Sequence, residues 1–145
     1  MPQNPLNLTA TTYTIVECFH IAGFVVAIGT TAVVDLRLLG LVFRQQSAAE
    51  LNTDSGLWAL GGLIVAVFTG FMLFSTDPDM YYTNETFLIK MACLTLAIVF
   101  NYTIRRKVIV SGVSAGIDKL VACVSLALWV SIVFGGIFIS VNPFS

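Results

Sequence analysis

Four long apolar runs separated by short polar breaks organise the chain: Tyr13 to Leu41, Gly56 to Phe74, Thr86 to Ile104 and Leu120 to Val141. Each reaches or approaches the roughly 20 residues that a helix needs to cross bilayer hydrocarbon. Strand-like alternation is absent, and backbone groups in lipid must pair within a helix or a closed barrel. The pattern predicts an all-α, integral membrane four-helix bundle. It forms one domain over residues 1–145, with helices over about 13–43, 56–75, 85–105 and 119–141.

The breaks set the topology. Arg44 to Ser55 reads as a polar loop, and Ser75-Thr76-Asp77-Pro78-Asp79 carries turn chemistry, with Pro fixing φ and Asp capping. Thr83 or Asn84 is placed to cap the third helix, and Asn142-Pro143 ends the fourth. Connections this short favour an up-down antiparallel order. Arg37 and Arg44 flank the first loop, and Arg105, Arg106, Lys107 and Lys119 flank the third, whereas the second holds Asp77, Asp79 and Glu85. The positive-inside bias then puts loops one and three in the cytoplasm and both termini outside. Met1 to Tyr13 lacks Lys and Arg, so the first run reads as a retained helix and not a cleaved signal.

Composition narrows the class further. Hydrophobic residues make up 57% of the chain and charged residues 10%, with a mean hydropathy of +0.92. An average soluble domain carries about 25% charged residues. A net charge of -1 offers no basic footprint, so nucleic acid is excluded as a partner and the lipid bilayer is expected. Cys18, Cys93 and Cys123 all lie inside apolar runs and read as small hydrophobes. Gly62, Ala66, Thr69-Gly70 and Gly135-Gly136 mark places where helices can approach closely.

Ionisable residues inside a span cost on the order of 3 kcal/mol each, which makes them the first place to look for function. They are Glu17, His20, Asp35 and Lys90. At about 100° per residue, Glu17, His20 and Asp35 share one stripe of the first helix, with Phe24, Ile28 and Thr31 between them. Lys90 and Asn101 share a face of the third helix. Antiparallel order then brings Glu17, His20 and Lys90 together near the outer side, and Asp35 and Asn101 together near the cytoplasmic side. Arg37 points away and snorkels to the headgroups.

Two readings of the outer group follow from the residues. In one, Glu17 and Lys90 form an ion pair that fixes register, beside a hydrogen-bonded His20. In the other, the three hold a cofactor. Asp35 is expected to pair with Arg105 or Arg106 as architecture. Trp58, Trp129, Tyr81 and Tyr82 read as interface anchors or core. One histidine excludes a His-rich zinc centre, and neither CxxC, HExxH nor a Gly-rich phosphate loop occurs.

Ile15-Val16-Glu17-Cys18-Phe19-His20 followed by Asp35-Leu36-Arg37-Leu38-Leu39-Gly40 resembles an uncharacterised family of small four-helix bacterial membrane proteins. The likeness continues through Phe74-Ser75-Thr76-Asp77-Pro78, Asn84, Phe87, Lys90 and Ser125 to Trp129. That family looks distantly like the CopD copper-resistance membrane domain and HemJ-type protoporphyrinogen oxidases. The HemJ-type likeness rests on His20, Lys90 and Pro143-Phe144, although Asn142 stands where a lysine is usual. Within the closer family, Ile137 stands where an arginine is common.

The resemblance implies haem b held by His20 as its metal ligand, with Glu17 and Lys90 beside it. It also implies a redox or electron-transfer role in a bacterial inner membrane. The CopD likeness implies instead a metal or proton-coupled permease, with Cys93, Met91 and Met80 as soft ligands. A third expectation is a non-catalytic subunit or anchor of a larger membrane complex, or a homo-oligomer sharing a cofactor. No residue is assigned a catalytic role.

Overall fold

A computed structural model describes residues 8–142, and among these every regular element is helical. Four helices are long and apolar enough to cross a membrane. They are α1 (Ala10–Leu38), α2 (Ala48–Phe74), α4 (Glu85–Ser111) and α5 (Ala115–Val141), with a short α3 (Pro78–Tyr82) between the second and third. Pro143 and Phe144 lie outside the described residues.

Local chemistry explains where the boundaries depart from the hydrophobic runs. α1 stops at Leu38, not near 43, because Gly40 adopts φ +75. The Leu41 amide donates to the Leu36 carbonyl and the Gly40 amide to the Arg37 carbonyl, the double bond of a glycine-terminated helix. α2 starts eight residues before Gly56, inside the stretch expected to be a loop. Ser47 and Glu50 close a capping box there, each side chain bonding the other's amide at 3.1 Å. α4 runs on to Ser111 and ends at Gly112, φ +60. The expected turn at Asp77 becomes α3, with Pro78 at its start and Asp77 capping Met80. Asn84 caps α4 through Phe87.

α1 packs along α2, α4 along α5, and contacts between α1 and α5 join the two pairs. The centre is a cluster of Leu94, Ala97, Trp129 and Ile132, with Phe24, Ile28 and Leu63 packed on it. Trp129 is therefore core, whereas Trp58 is 70% exposed. Where α1 crosses α2 the backbones touch. A Cβ on Gly62 would sit 2.6 Å from the Gly23 carbonyl oxygen, and one on Gly23 would sit 2.8 Å from the Ala66 nitrogen. Only glycine fits at either position. Large apolar side chains face outward all round, among them Leu57, Phe71 and Val110, far more than a water-facing surface carries.

Candidate functional site

The inward stripe of α1 is polar at both ends and apolar in the middle. Tyr13, Glu17 and His20 form one end, Phe24 and Ile28 the middle, Thr31 and Asp35 the other end. Each polar end meets a cation from α4.

At the far end from α3, Arg105 is 3% exposed and Asp35 is fully buried. The guanidinium Nε donates to Asp35 Oδ1 at 2.7 Å, and Nη1 donates to Asn101 Oδ1 at 2.8 Å and Asn52 Oδ1 at 3.3 Å. Nη2 donates to the Thr31 carbonyl at 3.2 Å, while Ser125 donates to the second Asp35 oxygen at 2.6 Å. One guanidinium thus ties α1, α2 and α4 together directly, and α5 through the carboxylate. A π-helical turn over Asn101–Arg105 carries Arg105 into the interior, and of the two partners expected for Asp35, Arg105 and Arg106, it is Arg105 that forms the pair. Asn52 and Ser125 were not anticipated. Asn52 lies in the stretch read as loop, although the Ser47-x-x-Glu50 signature marked a helix start there.

Arg37 is not limited to snorkelling: its Nε donates to the Gln46 carbonyl at 2.6 Å and closes the loop between α1 and α2. The Asp35-Leu36-Arg37-Leu38-Leu39-Gly40 block thus combines an interior ion, a loop clasp and a helix stop in six residues.

At the α3 end, His20 reaches α2. Its Nδ1 lies 2.7 Å from the Ala66 carbonyl oxygen and 3.2 Å from Thr69 Oγ1. A carbonyl only accepts, so Nδ1 carries a proton, and in the neutral form of the ring Nε2 keeps a lone pair. The imidazole occupies space that Gly70 leaves open, since a Cβ there would stand 2.8 Å from Cε1. The His20 and Phe24 rings meet edge to face, with centroids 4.9 Å apart. Lys90 Nζ lies over the Phe24 ring, 5.6 Å from its centroid.

Above them sits an aromatic roof. Phe74 stacks on Phe87 at 5.7 Å, and Tyr81 of α3 packs against both rings. The Tyr81 and Tyr13 hydroxyls are 3.2 Å apart. Burial, the Tyr13 hydroxyl and the nearby Glu17 and Asp77 carboxylates push the Tyr81 phenol above its ordinary value, so it stays a donor.

The expected meeting of Glu17, His20 and Lys90 is thus split. His20 and Lys90 flank Phe24, close enough to interact electrostatically. Glu17, one turn nearer the end of α1, acts on Tyr81 of the roof. A Glu17–Lys90 ion pair is not formed, and among the described residues the one ion pair is Asp35–Arg105. The expected soft ligands lie in different surroundings: Met91 is 41% exposed on the outer face of α4, Cys93 packs on the core, and Met80 is half-buried on α3. Among the described residues no three His, Cys, Asp or Glu side chains gather as a metal site.

No curated protein and no solved structure matches the chain, so the wider likeness to CopD and HemJ types has no match behind it. One family model does match, over residues 8–142. The two glycines of the α1–α2 crossing, His20 and the whole Asp35–Arg105 network fall within that stretch, and the chain belongs to this family, DUF6644, a family of unknown function.

Proposed function

We propose that this is a multi-pass membrane protein of the bacterial inner membrane that holds haem b near the outer face through His20. The antiparallel, up-down order is supported by the α1–α2 contacts. His20 meets Ala66 and Thr69, Gly23 meets Gly62, and Asp35 shares Arg105 with Asn52, so the numbers rise along α1 as they fall along α2. Orientation with both termini outside rests on Arg37, Arg44, Arg106, Lys107 and Lys119, which lie at the end away from α3.

The observation that carries the haem reading is the His20 Nδ1 contact with the Ala66 carbonyl at 2.7 Å. Ligating histidines are held in this way, with one ring N–H on a carbonyl and the other nitrogen left for the metal. The donor chemistry therefore fits an axial ligand to iron, and haem would supply a one-electron centre. Ala66 and Thr69 orient the imidazole, Gly70 gives it room, and Tyr81 with Phe74 and Phe87 screens it from the outer solution.

A permease fits less well. Between His20 and Thr31 the stripe passes Phe24 and Ile28, packed on Leu94, Ala97, Trp129 and Ile132, with no ionisable group to hand an ion across. A subunit of a larger membrane complex is the second reading. It is favoured by an apolar groove of about 650 Å³ on the outer side of the α1–α2 pair, floored by Gly23 and Gly62 and walled by Phe19 and Trp58.

The test is an ultraviolet-visible spectrum of the purified protein, oxidised and then reduced, beside His20→Ala. A Soret band in the wild type that the variant loses is expected. Absence of the band in the wild type, both as purified and after haem supplementation, overturns the reading.

A further inference from the structure

Lys90 is the ionisable group of the α3 end that is left without a counter-ion among the described residues. Two successive glycines on α5 make its path. A Cβ on Gly135 would come within 3.2 Å of Lys90 Cβ, and one on Gly136 within 3.6 Å of Nζ. The ammonium then faces the Phe24 ring at 5.6 Å, a contact that offsets only part of what desolvation costs a cation. Among the described residues no hydrogen bond or ion pair reaches Lys90, and Glu17, the acid at this end of the stripe, forms no ion pair with it. The contrast with Arg105 is direct, because there a carboxylate, two amide oxygens and a carbonyl converge on the cation. Lys90 is only half-buried, so its ammonium is within reach of a ligand.

We propose that Lys90, laid over Gly135 and Gly136 and facing Phe24, receives the carboxylate of an apolar ligand. Phe24 faces it and the helix that carries it is long and apolar enough to cross a membrane, so the ligand class is a hydrophobic molecule bearing an anionic group. Where that molecule is a porphyrin the inference rests on the haem reading and gives it a second anchor, a propionate. Where it is a long-chain fatty acid it stands without haem.

The experiment uses the full chain in detergent with its three lysines, Lys90, Lys107 and Lys119, converted to ¹³C-dimethyl-lysine, which keeps the charge. Lys90→Arg assigns the Lys90 resonance, and the exposed Lys107 and Lys119 are internal references. Zinc protoporphyrin, its dimethyl ester, oleate and methyl oleate are titrated separately. The expected result is a saturable shift of the Lys90 signal with at least one free acid. Its ester should bind about tenfold or more weakly, as loss of a charge-assisted bond implies, while the references stay still.

A response to zinc protoporphyrin alone identifies the propionate, and a response to oleate alone identifies a fatty carboxylate. In the latter case the haem reading falls to the spectrum of the His20 experiment while this proposal stands. Equal shifts with acid and ester, or none with either acid, overturn it.

Discussion

The two polar ends of the α1 stripe are built from similar parts and finished differently. Each sets a cation of α4 against α1, Arg105 at one end and Lys90 at the other, with the Trp129 core between them. Arg105 is saturated by side chains of the same chain and every helix of the four contributes. Lys90 has a ring and two glycines for company. A closed hydrogen-bond set holds helices in register, whereas the open one at Lys90 is what the proposed carboxylate would complete.

The sharpest way to break this comparison is to make the same substitution at both cations. Arg105→Met leaves the buried Asp35 carboxylate unpaired, and a loss of about 3–5 kcal/mol is expected in denaturant unfolding in detergent. Asp35→Leu combined with Arg105→Met should recover most of it, because no buried charge is left over. Lys90→Met, in contrast, should leave stability level or raise it. A loss on Lys90→Met equal to that on Arg105→Met would show that both ends hold the helices in register.

Next in size is the crossing of α1 and α2. Gly62→Ala forces a methyl against the Gly23 carbonyl, and destabilisation of about 1–3 kcal/mol is expected. Gly70→Ala instead meets the His20 ring, so its signature should be a displaced or lost Soret band with little change in unfolding. A band unchanged in Gly70→Ala would show that the imidazole does not depend on that space.

The smallest effect belongs to the roof. Tyr81→Phe removes the bond to Tyr13, and about 1 kcal/mol is expected from it. Because burial and its neighbours hold the Tyr81 phenol above the ordinary tyrosine value of 10.0, its protonated form belongs to the folded state. The contribution is complete below pH 10.0 and is lost as pH rises further. Alkaline difference spectra should therefore show no phenolate from Tyr81 at pH 10.0, where an ordinary tyrosine is half ionised. A half-amplitude signal that Tyr81→Phe removes would place the phenol in solvent.

Much of this was legible along the chain. Four helices follow from hydrophobic runs alone, because a long apolar helix is set by composition over some twenty residues and tolerates errors at single positions. The shared stripe of Glu17, His20 and Asp35 follows from helical periodicity. Boundaries were less legible where a few polar atoms outweigh hydropathy. The Gly40 stop cut α1 short, and the Ser47–Glu50 box began α2 inside a polar stretch. The π turn at Asn101–Arg105 has no glycine or proline to announce it, so the expected partner of Asp35 stayed open between Arg105 and Arg106, and the Asn52 and Ser125 contacts were not legible.

Residue identity and spacing by themselves determined that the chain is helical, that four of its helices are long and apolar enough to span a membrane, and which charged groups lie within them. Which of those charges meet was decided only in three dimensions. A side chain's azimuth is set by its own helix, but its partner is set by how neighbouring helices approach. That approach depends on glycines such as Gly23 and Gly62, which act through the backbone contact they permit. Asp35 met Arg105, one of the two partners expected for it, whereas Glu17 and Lys90 did not pair, because the approach of the helices and not the azimuth alone sets which side chains come within reach.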